Sequence, residues 1–203
     1  MTADTIIRRR LAAQHLVGKG LADAVAVVRE LSAVQSQDYA GAKWALSQRI
    51  AGAGAADAII EQEIDRGAIL RTHLLRPTWH FVAPEDLRWI LALTGHRVNA
   101  VMGRNDKEFG LSDAVYAHSQ EVMAKALSGG KHLTRTEIKA AMERAKIRVV
   151  NGQALARLMM RAEQAAVIVS GARRGKQFTY ALVDERVKPT KPKERDEALG
   201  ELM

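Results

Sequence analysis

The sequence predicts a mainly α-helical protein with small β-hairpins, an α+β fold class. Two observations predict it. Apolar residues recur at helical spacing through most of the chain, between residues suited to cap helices. Short runs rich in β-branched and aromatic residues, bounded by Gly and Pro, appear twice, each time after a group of helices. With 203 residues and 47% hydrophobic content, the chain can form one large domain or two small ones.

The first half predicts four helices, a hairpin and the start of a fifth helix. Helices are expected over 5–17, 23–31, 40–50 and 56–66, strands over 69–74 and 78–82, and a further helix from Pro84. Asp23 and Asp38 are suitable N-caps, because their side chains accept hydrogen bonds from free N–H groups. Gly67 suits the position after a helix, where the backbone turns left-handed.

The second half shows the same order more clearly. Ser112 and Asn151 are expected to cap two helices, and Thr134 with Glu137 forms a capping box at the start of a third. The inward residues are expected to be Val115, Val122, Met123 and Ala126, then Ile138, Ala141, Met142 and Ala145, then Leu155, Leu158, Met159 and Ala162. Strands are expected over 167–169 and 178–180, joined by a glycine-rich basic tip.

Helices followed by a hairpin are the element order of a winged helix-turn-helix, so the sequence predicts tandem winged helix-turn-helix units. The expected division is 1–111 for the first unit with a connecting helix, 112–183 for the second unit, and 184–203 for a basic linker. Winged-helix packing itself is expected over 5–82 and 112–183. The two units show no sequence repeat, only the same element order.

The charge distribution favours a nucleic-acid partner. The net charge is +8, and residues 131–193 hold 15 Lys and Arg against 5 Asp and Glu, while the rest of the chain is slightly acidic. Such a local basic field attracts phosphate polymers by counterion release. The alternative is a basic surface with no partner. The expected partner is double-stranded DNA, and oligomeric state is left open.

Several other classes are disfavoured. The chain has no cysteine, which excludes disulfides and cysteine-bound metals, and no His-Glu-x-x-His motif, so neither metal nor cofactor is expected. It also has no apolar run of membrane-spanning length and no signal-peptide pattern at the N-terminus. A cytoplasmic, nucleoid-associated location is therefore expected.

Two groups of residues are candidates for DNA contact. Gln153, Arg157, Arg161 and Gln164 form a polar stripe on the helix after Asn151, and Arg and Gln make bidentate contacts to base edges. The alternative is a solvated helix face. Arg173, Arg174 and Lys176 at the hairpin tip suit phosphate contact, which needs charge and reach.

The pair Gln35 and Gln37 is the candidate catalytic site. In an extended segment, residues i and i+2 point to the same side, so a connector between two helices would aim both amides at one place. A neutral amide carries donors and acceptors and can hold a water molecule. The alternative is two glutamines that cap helix ends.

Other polar and aromatic residues are further site candidates. His73 and His80, on facing strands, are candidates to pair across the hairpin. His80 is a secondary site candidate, with a packed, hydrogen-bonded histidine as its alternative. Trp79 and Trp89 are expected in the core, and burial is also expected for Trp44, with base stacking as its alternative.

The chain resembles the AlkZ-like family of bacterial winged-helix DNA glycosylases. The matching segments are RLAAQ (10–14), VQSQD (34–38), SQR (47–49), LRT (70–72), RPTWHFV (76–82) and EDL (85–87). The resemblance implies that Gln35 and Gln37 are the Gln-x-Gln catalytic pair, which orients the water that attacks C1′ of the sugar, and that His80 matches a recurrent position. It also implies a third winged-helix unit, to which 184–203 would lead.

The resemblance implies hydrolysis of the N-glycosidic bond of alkylated or cross-linked purines. The alternative is a non-enzymatic winged-helix DNA-binding protein or transcription regulator, in which the two glutamines are structural. Two amides that share a solvent-open groove lined by Lys and Arg favour the enzyme, and a buried pair tied to backbone favours the regulator.

Overall fold

The computed structural model describes residues 2–52, 54–103 and 106–202. The elements of the first half are α1 (Ala3–Ala13), α2 (Ala24–Glu30), β1 (Ala33–Gln35), α3 (Tyr39–Ser47), α4 (Asp57–Asp65), β2 (Leu70–His73), β3 (Trp79–Val82) and α5 (Pro84–Met102). Those that follow are α6 (Asp113–Leu127), β4 (Leu133–Thr134), α7 (Arg135–Arg144), α8 (Gly152–Gln164), β5 (Ile168–Ser170), β6 (Thr179–Leu182), α9 (Val183–Arg186) and α10 (Arg195–Leu202). None of these helices is both long and apolar enough to cross a membrane.

Each hairpin is part of a three-stranded antiparallel sheet, a difference from the two-stranded hairpins expected. The strand orders are β1-β3-β2 and β4-β6-β5, so in each sheet a short earlier strand pairs with the last one. In the first sheet, Gln35 lies opposite His80, and Thr72 lies opposite His80 on the other side. The sequence did not reveal β1 and β4 because they contain only three and two residues and are defined by distant partners.

The predicted helix starts are confirmed by cap hydrogen bonds. The side chains of Asp23, Asp38, Ser112, Thr134 and Asn151 each accept from a backbone N–H two or three residues later, and Thr134 and Glu137 complete the capping box. Gly67 has φ of +83°, as expected after a helix. Helix α1 ends at Ala13, four residues before the predicted end, and none of its residues is buried.

Three clusters of buried side chains form the core, and the third joins α5 to both sheets. It includes Leu70 of β2, Ile90 of α5 and Val169 of β5. The predicted inner faces of α7 and α8 are confirmed by the burial of Ile138, Met142, Leu155, Leu158, Met159 and Ala162. Trp89 is buried as expected and Trp79 is only partly buried.

Burial is expected for Trp44, and the helical spacing of Ile59, Ile60 and Ile64 also predicts Ile59 on the inner face of α4, but both predictions are wrong. Ile59 is 52% exposed and Trp44 is 66% exposed, because the buried sides of α3 and α4 are formed by their neighbours, including Leu46 and Ile60.

The two sheets lie close together through direct contacts. The backbone N–H of Arg71 in β2 donates to Oγ of Ser170 in β5 at 2.8 Å. The rings of Tyr39 and Phe178 meet edge to face, with centroids 4.9 Å apart. Arg186 donates to the carbonyl oxygens of Ile64 and Asp65, both at 2.8 Å. The second sheet and the loop before β6 therefore help to form the surroundings of the first sheet.

Candidate functional site

Gln35 and Gln37 lie on an extended segment at the end of β1. Both side chains are exposed, whereas Ser36 between them is fully buried. The N–H of Ser36 donates to the carbonyl oxygen of Trp79 at 2.7 Å, so strand-like pairing continues past Gln35. Because alternate residues of an extended chain point to opposite sides, the two amides lie on one side. The predicted exposure of both amides is confirmed, and the predicted extended conformation is confirmed for Gln35 in β1, whereas the chain bends at Gln37.

Hydrogen bonds fix the orientation of both amides. Nη2 of Arg76 donates to Oε1 of Gln35 at 2.5 Å, and the backbone N–H of Trp79 donates to Oε1 of Gln37 at 3.2 Å. Since only the amide oxygen can accept from these donors, both NH₂ groups point away from them. Within the described residues neither NH₂ group has a partner. Each amide therefore presents two N–H donors and one unused lone pair of its oxygen.

Arg71 holds the backbone between the two glutamines. Its Nε and Nη2 donate to the carbonyl oxygen of Ser36 at 3.3 and 3.0 Å. The guanidinium lies 4.3 Å from the ring centroid of Trp79 and 4.8 Å from that of Phe178, and the residue is 8% exposed. Burial lowers the pKa of Arg71, although nearby Tyr180, Glu163 and Tyr39 oppose this shift. Fork geometry and ring stacking are properties that arginine has and lysine lacks.

The two histidines of the first sheet do not pair with each other, which corrects the expectation. His73 lies opposite Trp79, and His80 lies opposite Thr72, so the rings are offset by one residue and occupy opposite faces. Nδ1 of His73 is 2.5 Å from Oε2 of the fully buried Glu163. No group of three metal-binding side chains occurs in the described part of the chain.

His80 is packed and hydrogen-bonded, which agrees with the structural alternative to a site role. The residue is 4% exposed, and its Nδ1–H donates to the carbonyl oxygen of Thr78 at 2.9 Å. Burial lowers the pKa of His80, more than the hydrogen bond to Thr78 raises it. Because His80 lies opposite Gln35, the two side chains share one face of the sheet.

The polar stripe of α8 is largely occupied by contacts inside the molecule. Arg157 donates to the carbonyl oxygen of Met102 and to Asp106 at 3.1 Å. Arg161 lies 3.4 Å from Asp113 and 4.8 Å from the ring centroid of Tyr116. Gln153 is exposed.

Gln164 is expected on the polar stripe of α8, and this prediction is wrong. It is buried and donates to the carbonyl oxygen of His73 at 2.6 Å. The reason is that the C-terminal end of α8 packs against β2, far away in sequence. Contact of Gln153, Arg157 and Arg161 with DNA stays a prediction.

The three cations of the basic tip have different surroundings. The N–H of Arg173 donates to Asp65 at 2.7 Å, and its guanidinium donates to Glu61 at 3.0 Å. Arg174 donates to Glu137 at 2.8 Å. Lys176 is exposed and, in the ranges that the structure describes, has no ion-pair partner.

Arg173 joins a polar cluster that sequence reasoning missed. Glu61 accepts hydrogen bonds from Tyr39, Lys43 and Arg173, and the Lys43 side chain is only 7% exposed. Burial by itself would raise the pKa of Glu61, but these three hydrogen bonds outweigh it and the pKa is lowered. Burial and the hydrogen bond to Glu61 raise the pKa of Tyr39. Glu61 and Arg173 are far in sequence from each other and from Tyr39 and Lys43, so the cluster forms no motif.

Comparison with known proteins assigns the chain to a family. Residues 28–203 match the family described as DNA glycosylase AlkZ-like, and this match covers most of the chain, so the chain belongs to that family. A solved structure, Streptomyces sahachiroi DNA glycosylase AlkZ, is similar in fold, with a TM-score of 0.73 and 22% sequence identity. The similarity covers 93% of this chain and 52% of the AlkZ chain, so this chain spans about half of that relative. No curated protein matches it.

Proposed function

We propose that the chain is a DNA-repair glycosylase that binds double-stranded DNA and hydrolyses the N-glycosidic bond of alkylated or cross-linked purines. The observation that carries the proposal is the pair of exposed amides on one side of the segment 35–37. Their oxygens are fixed by Arg76 and Trp79, and their backbone is fixed by Arg71. The family supplies the reaction class.

The proposed role of Gln35 and Gln37 is to place the attacking water. A purine that carries a cationic N-alkyl group leaves readily, because the C1′–N bond electrons neutralise it. The site then has to position water against an oxocarbenium-like sugar, and positioning of this kind lowers barriers substantially. The amide N–H groups donate to the water oxygen or to the sugar–phosphate backbone, and the unused oxygen lone pairs accept from the water.

The proposed domain organisation is two winged-helix units in tandem, residues 1–111 and 112–183, followed by the basic linker 184–203. Supporting it, both halves show the order helix, strand, helix, helix, strand, strand, and both sheets have the same strand order. Lys176 and Gln153 are proposed DNA contacts that are exposed and have no ion pair among the described residues, and Arg174 is exposed while it pairs with Glu137. Arg157, Arg161 and Arg173 would first have to leave Asp106, Asp113 and Glu61.

The test is excision of N7-methylguanine from duplex DNA by the full chain. We expect Gln35→Ala and Gln37→Ala each to slow excision about 100-fold or more, the usual effect of losing a positioning contact in the transition state. Gln48→Ala is the matched control, because Gln48 is also exposed and lies outside the segment. Thermal stability should change little in all three variants, since none of these side chains is buried. Duplex affinity should also change little, since contacts of basic side chains with phosphates supply most of it.

Two results would contradict the proposal. If the parent chain binds duplex DNA but does not excise the base, the non-enzymatic DNA-binding alternative is favoured. If both alanine variants excise as fast as the parent, the glutamines have a structural role and the catalytic assignment is wrong.

A further inference from the structure

A cavity of about 430 Å³ lies between the first sheet and the loop that joins β5 to β6. Arg71 and Trp79 line it, and both belong to the sheet face opposite that of Gln35 and His80, because alternate strand residues point to opposite faces. The cavity is therefore separate from the two exposed amides. Its volume falls in the range of cavities that bind small organic molecules.

Aromatic rings form a large part of the wall. The four are Tyr39, Trp79, Phe178 and Tyr180. The Tyr39 and Phe178 centroids are 4.9 Å apart, and those of Trp79 and Tyr180 are 6.5 Å apart. Phe178 is 39% exposed although it is a large apolar side chain. The guanidinium groups of Arg71 and Arg173 lie 4.8 and 5.1 Å from the Phe178 ring centroid. The ring surface that stays exposed is suited to stacking against the planar face of a nucleobase.

The charged part of the wall is entirely positive. Arg71, Arg135, Arg173 and Lys176 line the cavity, and among the described residues no carboxylate does. Arg71 and Arg173 are held by Ser36 and Glu61. Arg135 and Lys176 are exposed, and the only hydrogen bond of the Arg135 side chain in the described structure is to the carbonyl oxygen of Gly152 at 2.7 Å. These two cations retain donors for an anion at the mouth.

We propose that this cavity binds a nucleotide, with the base against the aromatic rings and the phosphate against Arg135 and Lys176. A purely apolar ligand would leave the cations unmatched, and inorganic phosphate alone would leave the rings and most of the volume unused. We infer that the nucleotide is an unpaired nucleotide of bound DNA, and this source rests on the proposed function. The same chemistry would accept a free nucleoside monophosphate.

The first experiment titrates the full chain with dAMP and, separately, with inorganic phosphate, and follows backbone amide signals by NMR. We expect saturable changes at residues around the cavity and affinity for dAMP about tenfold or more above that for phosphate, since stacking adds to the charge term. The double variant Arg135→Gln/Lys176→Gln should lose about tenfold in dAMP affinity, while Lys188→Gln, an exposed cation in the linker, should leave it unchanged.

A ring variant separates the base from the phosphate. Phe178→Ala should weaken dAMP and leave phosphate unchanged, and thermal melting of the same variant verifies that it is folded. No saturable change with dAMP, or changes that are equal in the parent and the double variant, would overturn the proposal. Equal affinity for dAMP and phosphate would overturn it as well.

The second experiment identifies the source. Affinity is compared for a fully paired duplex and for the same duplex with one unpaired nucleotide. If DNA supplies the nucleotide, the second duplex binds more tightly and the difference disappears in the double variant. Equal affinities, with dAMP binding intact, would assign the cavity to a free nucleotide and overturn the DNA source. Excision and binding of the fully paired duplex are measured separately. If only the glycosylase proposal fails, excision is absent while dAMP binding and its loss in the double variant remain.

Discussion

Arg71 is a buried cation that fixes the backbone between Gln35 and Gln37 without contacting either glutamine side chain. It binds the carbonyl oxygen of Ser36, whereas the side chains of Gln35 and Gln37 stay exposed and accept hydrogen bonds from Arg76 and Trp79. A buried carbonyl oxygen without a donor is costly, so this contact stabilises the extended conformation. Phe178 covers the guanidinium from the second half of the molecule.

We expect Arg71→Lys to lower the free energy of unfolding by about 1.5–3 kcal/mol, because hydrogen bonds to charged groups are lost and an ammonium is harder to bury. Amide hydrogen exchange at residues 36 to 38 should also become faster than in the parent. The increase should be larger than the lower free energy of unfolding alone would produce. Urea denaturation and exchange measured by NMR verify the two effects.

The control is Arg66→Lys, since Arg66 is exposed and its one ion pair among the described residues is with Glu63. Surface pairs of this kind contribute about 0–1 kcal/mol, so this variant should unfold near the parent midpoint. Equal exchange rates at 36–38 in the Arg71 variant and the parent would show that Arg71 does not hold the segment.

At the scale of elements, the start of α7 is stabilised by Glu137. Its carboxylate accepts from the backbone N–H and the hydroxyl of Thr134 and from Arg174. The hydrogen bond from the Thr134 backbone, followed by that from Arg174, lowers the pKa of Glu137 to about 2. A carboxylate with a lowered pKa stabilises the fold above its unfolded pKa and loses that contribution as pH falls toward the folded value.

We therefore expect the parent to lose stability between about pH 4.5 and pH 2 partly through this residue. Glu137→Gln should be less stable than the parent at pH 6 and should lose less on acidification, because an amide does not titrate. The urea midpoint at pH 6 and pH 3 measures both. Glu108→Gln, an exposed carboxylate without an ion pair in the described ranges, should keep the parent profile. A Glu137 variant that parallels the parent at every pH would refute the assignment.

The charge of the whole molecule is uneven, and the structure divides its cations into paired and accessible groups. Residues 131–193 carry 15 Lys and Arg against 5 Asp and Glu. Arg157, Arg161 and Arg173 pair with Asp106, Asp113 and Glu61, all outside that segment. These ion pairs connect the basic segment to the rest of the molecule. Because the carboxylates balance the charges of the three arginines, these arginines add little to the electrostatic field outside the molecule.

We expect duplex DNA binding to weaken steeply with salt, and Lys176→Gln to lower the log–log slope by about 0.9, the contribution of one neutralised phosphate. Arg157→Gln should change the slope less, since its charge is balanced by Asp106. Fluorescence anisotropy over a salt series measures the slopes. Arg97→Gln, an exposed cation outside the basic segment, is the control with equal charge change. If Arg97 and Lys176 variants give the same slope, the basic tip is not a specific contact.

The sequence by itself determined the features that depend on neighbours a few residues away. Caps such as Asp38 and Thr134, the apolar face of α8 and the spacing of Gln35 and Gln37 are local, because helical turns and extended strands repeat within two to four residues. Their predicted places agree with the structure.

Only the tertiary structure decided which polar groups remain available. The contact of Arg173 with Glu61 joins residues 112 positions apart, and that of His73 with Glu163 joins residues 90 apart. No periodic pattern records such pairs, because loop closure between distant segments is selected by burial of the whole core. The strand β1, the clamp of Arg71 on Ser36 and the cavity beside Phe178 likewise arise only where distant elements meet.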